Sequence, residues 1–546
     1  MSTNRLLQGL SASRDLMGYA GIFARFPLAL RRFIKNPLDL DQAYRLVRER
    51  SAGRPDQLIR LLRESVYDHP GSPYLALLTQ AGFTIDDLES MVNNDGVENT
   101  LRQLRAAGVY VTFEEFKGRR PIERGGRTIE VTASDFDNPR ARHDLTMMTG
   151  GSTGQANLVY QDLDHIADLA VNEMVGLDIH GMLDAPTFHW SSMLPCSGIR
   201  FVLQRARHGQ RRQTWFTPSG WRDTAAWKKY AAATHYMAWW ARRYGMDIQG
   251  PTLVRPDNAV LVAKAIRETL DRDGKCLLYA SVSRAVRVAS AAHKMGIDLE
   301  GTAMRLVSEP LTPVRRRQIE DSGARALAGY GSIETGVIAL GCARPEHVDE
   351  VHVLTDAFAL IEHPHTVPGS DTVVQAFNLT GLRSSTPKVM LNYQIDDYGD
   401  LETRSCGCGL GEVGYGLHLH NIRSYTKLVG EGVTLVGNDL LQVLEEELPQ
   451  RFGGTPLDYQ LQEVETPDGL LRMVLVVSPQ VSLNDETDVV EFILQRLRAS
   501  SPMGDGAAAI WQNAGAFSVE RREPTLSKAG KFQPLLRSSP AGNTRI

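Results

Sequence analysis

Thr149-Gly150-Gly151-Ser152-Thr153-Gly154-Gln155 and, far downstream, Gly329-Tyr330-Gly331-Ser332-Ile333-Glu334-Thr335 are the stretches on which the reading of this chain turns. In the first, glycines let backbone N–H groups come close to an anion, and the hydroxyls of Ser152 and Thr153 add donors without bulk. Taken by itself such a run is equally an ordinary turn, and it lacks the Gly-Lys-Ser/Thr ending of a P-loop nucleotidase. The second stretch combines an aromatic ring, tight glycines and a hard carboxylate donor in Glu334.

Further short segments follow these in a fixed order. Thr112-Phe113-Glu114-Glu115-Phe116-Lys117 precedes the small-residue loop, and Gly296-Ile297-Asp298-Leu299-Glu300-Gly301 and Val307-Ser308-Glu309-Pro310-Leu311-Thr312-Pro313 come after it. Asp397-Tyr398-Gly399-Asp400, Ile422-Arg423-Ser424 and Ser527-Lys528-Ala529-Gly530-Lys531 complete the series. In order and spacing the chain resembles the adenylate-forming superfamily and, within it, the phenylacetate-CoA ligase-like branch. The resemblance implies an α/β fold, with a large multi-layer N-terminal adenylation domain and a smaller mobile α/β lid. It implies activation of a carboxylic acid by ATP as an acyl-adenylate, then transfer to a thiol, with coenzyme A the leading acceptor.

The same resemblance assigns residues. Thr149, Gly150, Gly151, Ser152, Thr153 and Gly154 would hold phosphate; Ser308, Glu309 and Pro310 would lie beside the purine; Tyr330 would stack on it, with Gly331 and Ser332 also in the nucleotide site. Glu334 would bind magnesium, an ion that favours one or two carboxylates when phosphates complete its shell. Asp400 would clamp the ribose hydroxyls, Arg423 would reach ribose or phosphate from the hinge, and Lys531 would neutralise carboxylate and α-phosphate during adenylation. The acid would meet residues among His189, Trp190, Ser197, Gly198 and Ser281. Cys342, His352, Cys406 and Cys408 resemble a structural zinc cluster of some members of the branch, with His347 an open rival to His352.

Three positions depart from the pattern. Ala156-Asn157 ends the small-residue loop where many relatives carry Pro followed by Lys or Thr, Ile333 replaces a Thr or Ser, and Tyr425 stands where Asp or Lys is frequent. These keep two other readings open: an adenylate passed to an amine or a carrier-protein thiol, and a homologue that binds nucleotide without reacting.

Composition sets the frame. With 546 residues, 42% hydrophobic and 23% charged, the chain is long enough for two or more domains with cores. A net charge of -4 argues against a nucleic-acid partner. Five cysteines are too few for a disulfide framework, which favours reduced thiols and a cytoplasmic location, and no stretch approaches the length of a membrane span. Residues 16–34 read as an amphipathic stretch that packs on the main domain or on a partner in preference to a membrane surface, so a homodimer stays open.

Periodicity predicts a helical preface within residues 1–110, helical over 40–104. It predicts helices over 158–175, 260–270 and 283–295, helical spacing over 215–244, and strands at Leu277-Leu278-Tyr279 and Met304-Arg305-Leu306-Val307. The rest of the adenylation domain would run over 111–423 and the lid over 424–546. Within the lid, strands are expected at Thr434-Leu435-Val436, 458–463 and Leu471–Val477, and helices over 438–448 and 486–499.

Overall fold

The structure, a computed structural model, describes residues 25–148, 157–210, 212–219, 227–366, 373–424, 427–430, 433–436, 443–500, 502–525 and 534–536. The small-residue loop over 149–154, Tyr425 and Lys531 lie outside them.

Short, apolar, strand-forming runs alternating with amphipathic helices build a six-stranded, all-parallel sheet. Its strands are β1 (Thr187–Trp190), β2 (Arg212–Thr217), β3 (Asp247–Leu253), β4 (Cys276–Ser281), β5 (Thr302–Val307) and β6 (Arg325–Leu327). Their spatial order is β6-β5-β4-β1-β2-β3. All six residues of β4 are buried, as expected of a strand covered on both faces. Helix Val282–Met295 packs on β4 and β5, and helix Gly198–Arg207 packs on β1.

A second sheet of eight strands joins the first through helix Leu163–Ile179. Along its main path lie β7 (Gly329–Ser332), β8 (Gly336–Gly341), β9 (Val351–Val353), β10 (Phe358–Thr366), β11 (Val373–Gly381), β12 (Tyr393–Thr403) and β13 (Leu417–Ser424). The order is β7-β8-β9-β13-β12-β11-β10, with Val111–Thr112 added to β12. The helices between Leu40 and Ala106 bury Leu58, Leu62, Leu77 and Leu101 in one cluster with Phe377, Leu379 and Tyr393 of this sheet. Arg105 fastens them from inside, donating to Asn378 Oδ1 and Gln394 Oε1 at 2.9 Å each. Residues 25–35 are helical and bury Phe26, Leu30, Phe33 and Ile34 against a separate cluster.

From Val443 onward the chain has its own core, with Trp511 at its centre. Four strands, β14 (Tyr459–Glu465), β15 (Leu471–Val477), β16 (Phe517–Arg521) and β17 (Leu535–Leu536), stand in the order β16-β15-β14-β17 beside helices Glu486–Ser500 and Pro502–Ala514. Among the described residues, no helix is long and apolar enough to cross a membrane.

Two expected helices are shorter than their periodicity suggested. Residues 158–175 open with a strand, Leu158–Gln161, paired antiparallel to Leu145–Met148. The helix starts only at Leu163, because Asp162 caps it by accepting from the His165 N–H at 2.6 Å. In the 215–244 stretch, Trp215, Phe216 and Thr217 complete β2, and helix Trp227–Arg243 follows. In the lid, Val443–Glu447 is π-helical and Leu448–Phe452 α-helical, while the first part of the expected 438–448 helix lies outside the described residues.

Two buried histidines make the fold acid-sensitive. Burial, then the nearby Arg200 charge, pushes His165 down to about 3. Burial does the same for His189, against a hydrogen bond to the Gln213 side-chain oxygen that favours the charged ring. Both folded values lie below the unfolded value of about 6.5. Their contribution to stability is therefore complete above about 6.5 and is lost as pH falls toward about 3. Neither ring nitrogen of His165 has a partner among the described residues, so His165→Leu removes a titration without removing a hydrogen bond. Urea unfolding between pH 7 and pH 4 should therefore show a stability difference that moves in favour of His165→Leu as pH falls. A difference constant over that range would contradict this account.

Candidate active site

The carboxyl ends of the parallel strands open into a cavity of about 350 Å3. Ser191 and Ser192 after β1, Ser281 at the end of β4, Val307 and Ser308 at the end of β5, and Ala328 beyond β6 line it, as expected for ligand crevices in open α/β sheets. Ser197 and Gly198 contribute from the start of helix Gly198–Arg207. The opposite wall comes from the second sheet through Tyr330, Glu334, Asp349, Asp397 and Arg423, and Gly506 and Ile510 reach it from the lid.

The β7–β8 hairpin sets the centre of this wall. A Cβ on Gly331 would lie 2.1 Å from the Gly336 carbonyl oxygen, so only glycine permits the pairing. At the turn, the Ser332 N–H donates to Thr335 Oγ1 at 3.1 Å and the Thr335 N–H donates to Ser332 Oγ at 3.2 Å. This reciprocal pair holds Ile333 and Glu334 on opposite errands. Ile333 packs on the apolar cluster around Met147 and Met193, while its carbonyl accepts from Gln161 at 2.7 Å and Arg200 at 3.1 Å. Glu334 enters the cavity wall and pairs with the Lys117 ammonium; both side chains are less than 10% exposed. Burial alone would raise the Glu334 carboxyl, but the charge and hydrogen bond of Lys117 outweigh it and hold the group at about 2.

Tyr330 is fixed by its hydroxyl, which donates to Asp397 Oδ2 at 2.8 Å. Burial first, and then the Asp397 carboxylate, pushes this phenol well above its ordinary range, so it stays a donor. Arg423 lies 3.5 Å from Asp349, whose carboxylate also accepts the N–H groups of Asn421 and Ile422 at 3.0 and 3.1 Å.

Several sequence expectations meet a different geometry. Asp400 does not line the cavity: it is 56% exposed and accepts from Asn421 Nδ2 at 2.5 Å. The register of β12 shifts between Tyr398 and Asp400, and it is Asp397, three residues earlier, that faces the cavity beside Tyr330. His189 and Trp190 are core residues: His189 Nε2 bonds to Gln213 at 2.7 Å, and the Trp190 indole donates to the Val254 carbonyl at 3.0 Å. Neither lines the cavity, whereas Ser197, Gly198 and Ser281 do. Glu309 lies in the wall, but its carboxylate is fully buried, accepting from the Ser283 N–H and Arg315 Nη1 at 3.0 Å each. Ser308 beside it adopts a left-handed backbone, with φ 73.

The four residues expected to form a metal cluster do come together, with ligand atoms within 4.8 Å of one another. His352 Nε2 lies 3.2 Å from Cys408 Sγ and 3.6 Å from Cys406 Sγ, and its Nδ1 faces the Tyr415 carbonyl at 2.5 Å, which turns Nε2 toward the thiols. A hydrogen bond from the Cys342 thiol draws Cys408 well below the ordinary thiol range. His347 stands apart, its ring stacked 3.7 Å from His420 in a separate group with Glu402.

No family model and no curated protein matches this chain. Among solved structures, 2-hydroxyisobutyryl-CoA ligase in complex with 2-HIB-AMP and CoA aligns over 90% of this chain and 90% of its own, with 13% identity and a TM-score of 0.51. The chain has the two-domain fold of the adenylate-forming ligases. The amide bond synthetase McbA from Marinactinospora thermotolerans aligns over 88% of this chain and 93% of its own, with 14% identity and a TM-score of 0.42. The o-succinylbenzoate CoA synthetase MenE from Bacillus subtilis aligns over 72% and 69%, with 12% identity and a TM-score of 0.43.

Asp349, Asp397, Lys117, Arg200 and Arg284 are cavity residues that sequence reading did not single out. Lys117 ends a segment that carried part of the resemblance, and Asp397 sits among three clustered acids, so both signals were present but unordered. Because the Gly336 oxygen belongs to backbone and cannot swing away, Gly331→Ala should lower stability by about 1–3 kcal/mol in urea unfolding. Unchanged stability would mean that the hairpin pairs otherwise.

Proposed function

We propose that this protein activates a carboxylic acid with ATP as an acyl-adenylate and transfers the acyl group to a thiol, with coenzyme A the leading acceptor. The observation that carries the reading is the single cavity in which Lys117, Ser308, Tyr330, Glu334, Asp397 and Arg423 meet under a lid helix at the carboxyl ends of a parallel sheet.

The chemistry follows from charge. In the first step a carboxylate oxygen attacks the α-phosphorus and pyrophosphate leaves; in the second a thiolate attacks the acyl carbon and AMP leaves. Tyr330, tethered through its hydroxyl, would offer a ring face to a purine, and the Asp397 carboxylate beside it would accept from ribose. Glu334 is a hard oxygen donor on the cavity wall, which fits a magnesium ion; such an ion would neutralise phosphate charge. Ser192, Ser197, Ser281 and Arg284 line the remaining wall, where the acid would lie. In this reading residues 149–154 hold phosphate and Lys531 approaches the carboxylate from the lid, which begins just after Arg423.

ATP–pyrophosphate exchange, run over a panel of acids, tests the reading directly. Exchange dependent on one class of acid is expected, whereas its absence with every acid would favour a nucleotide-binding homologue without activity. Glu334→Gln should lower exchange by about 100-fold or more. Asp397→Asn should raise KM for ATP by about 10-fold or more, and Asp400→Asn should leave it within about twofold. Lys531→Ala should lose exchange while keeping most ATP binding. Product analysis with coenzyme A in competition with amines then distinguishes the acceptors.

The Cys342, His352, Cys406 and Cys408 cluster fits a closed structural zinc site, with His352 preoriented through Tyr415. About one zinc per chain is expected in protein purified without chelator, and Cys408→Ser should lose it. Metal-free protein of full stability would remove this assignment.

A further inference from the structure

Four cationic side chains line the cavity among the described residues: Lys117, Arg200, Arg284 and Arg423. Three of them spend hydrogen bonds on backbone carbonyls. Arg200 donates to Ser332 and Ile333, Arg284 to Trp190 at 3.2 Å, and Arg423 to Ile422 at 2.7 Å. Arg423 also lies 3.5 Å from Asp349, but Lys117 is in direct hydrogen-bond contact with Glu334, a carboxylate of the cavity wall.

The backbone behind Lys117 is locked. Gly118 has φ +67, and a Cβ there would stand 2.6 Å from the Ala133 nitrogen and 2.8 Å from Thr132 Cα. Helix Phe113–Phe116, just before it, is capped by Thr112 and Glu115. Movement is therefore left to the four-carbon side chain, which carries a compact, rotatable ammonium. A divalent cation on Glu334 and an ammonium on the same carboxylate repel each other, so binding of one weakens the hold of the other.

Resting on the adenylate-forming reading, we propose that Lys117 is a resident counter-cation. It holds the Glu334 carboxylate in the cavity wall before a divalent ion is bound, and turns to a phosphate oxygen of the nucleotide when the ion takes that carboxylate. The small-residue loop ends in Ala156-Asn157 and brings no cation of its own from that position, so Lys117 supplies an ammonium from a different part of the chain.

The exchange of partners makes opposite predictions for two ligands. Binding of Mn2+ to nucleotide-free protein, read by the free-ion paramagnetic resonance signal, should tighten about 10-fold in Lys117→Met, because the resident competitor is gone. Binding of metal-free ATP in the presence of chelator should weaken about 10-fold in the same variant. Lys117→Arg, which keeps the charge, should stay near wild type in Mn2+ affinity. Should Lys117→Met fail to fold, Glu334→Gln provides an independent reading: with its partner neutralised, Lys117 should bind metal-free ATP several-fold more tightly than in wild type. Mn2+ affinity unchanged or weakened in Lys117→Met, or metal-free ATP affinity unchanged in Glu334→Gln, would overturn the proposal and leave the pair a structural link. Acid-dependent exchange by the wild-type protein checks the underlying reading separately, so the two can fail independently.

Discussion

The ion pair between Lys117 and Glu334 joins segments 217 residues apart and anchors the wall that faces the parallel sheet. Removing one partner of such a buried pair costs about 3–5 kcal/mol, because the survivor is left charged and desolvated. The pair therefore ties the capped turn at Thr112–Lys117 to the β7–β8 hairpin. With the hairpin fixed, Tyr330, Ile333 and Glu334 take their places on one wall, and Ile333 also packs against the apolar cluster.

The same device recurs where elements meet. Arg315, fully buried, bonds Glu309 on the cavity wall and donates to the Gly469 carbonyl of the lid at 2.8 Å, and it lies 3.7 Å from Glu465. Arg305 lies between Glu173 and the Ala328 carbonyl, and Tyr279 donates to the same glutamate at 2.9 Å. Arg383 pairs with Asp356, which also accepts from Tyr415 and Asn172. Each buried cation is bonded by groups from several elements, so orientation is specified as well as held. Arg315 also links the lid to the cavity wall, because one guanidinium bonds both.

Elements whose pattern is decided locally were legible. The strand Leu471–Val477 ends where its β-branched run ends, and helix Val282–Met295 stops at Gly296, whose left-handed backbone closes it. The failures were boundaries where a short polar signal overrides apolar periodicity, as at Asp162 before the helix Leu163–Ile179. The aromatic run from Trp215 to Thr217 was another, since strand and helix patterns coincide over so few residues. In the site, the β7–β8 motif was legible because its glycines and its acid lie within a few residues. Choosing between Asp397 and Asp400 was not, since a register shift in β12 decides which of them faces the cavity.

What the amino-acid sequence determined alone is the alternation of strands and helices, the glycines and acid of the 329–335 motif, and the presence of thiols and imidazoles in quantity for one metal-like cluster. All of these follow from local sterics and periodicity. What only the tertiary structure decided is partnership: that His352 rather than His347 meets Cys406 and Cys408, that Asp397 rather than Asp400 meets Tyr330, and that Lys117 meets Glu334. Long-range pairing depends on sheet order, strand register and the burial of charge, and these are properties of the assembled layers that no single segment carries.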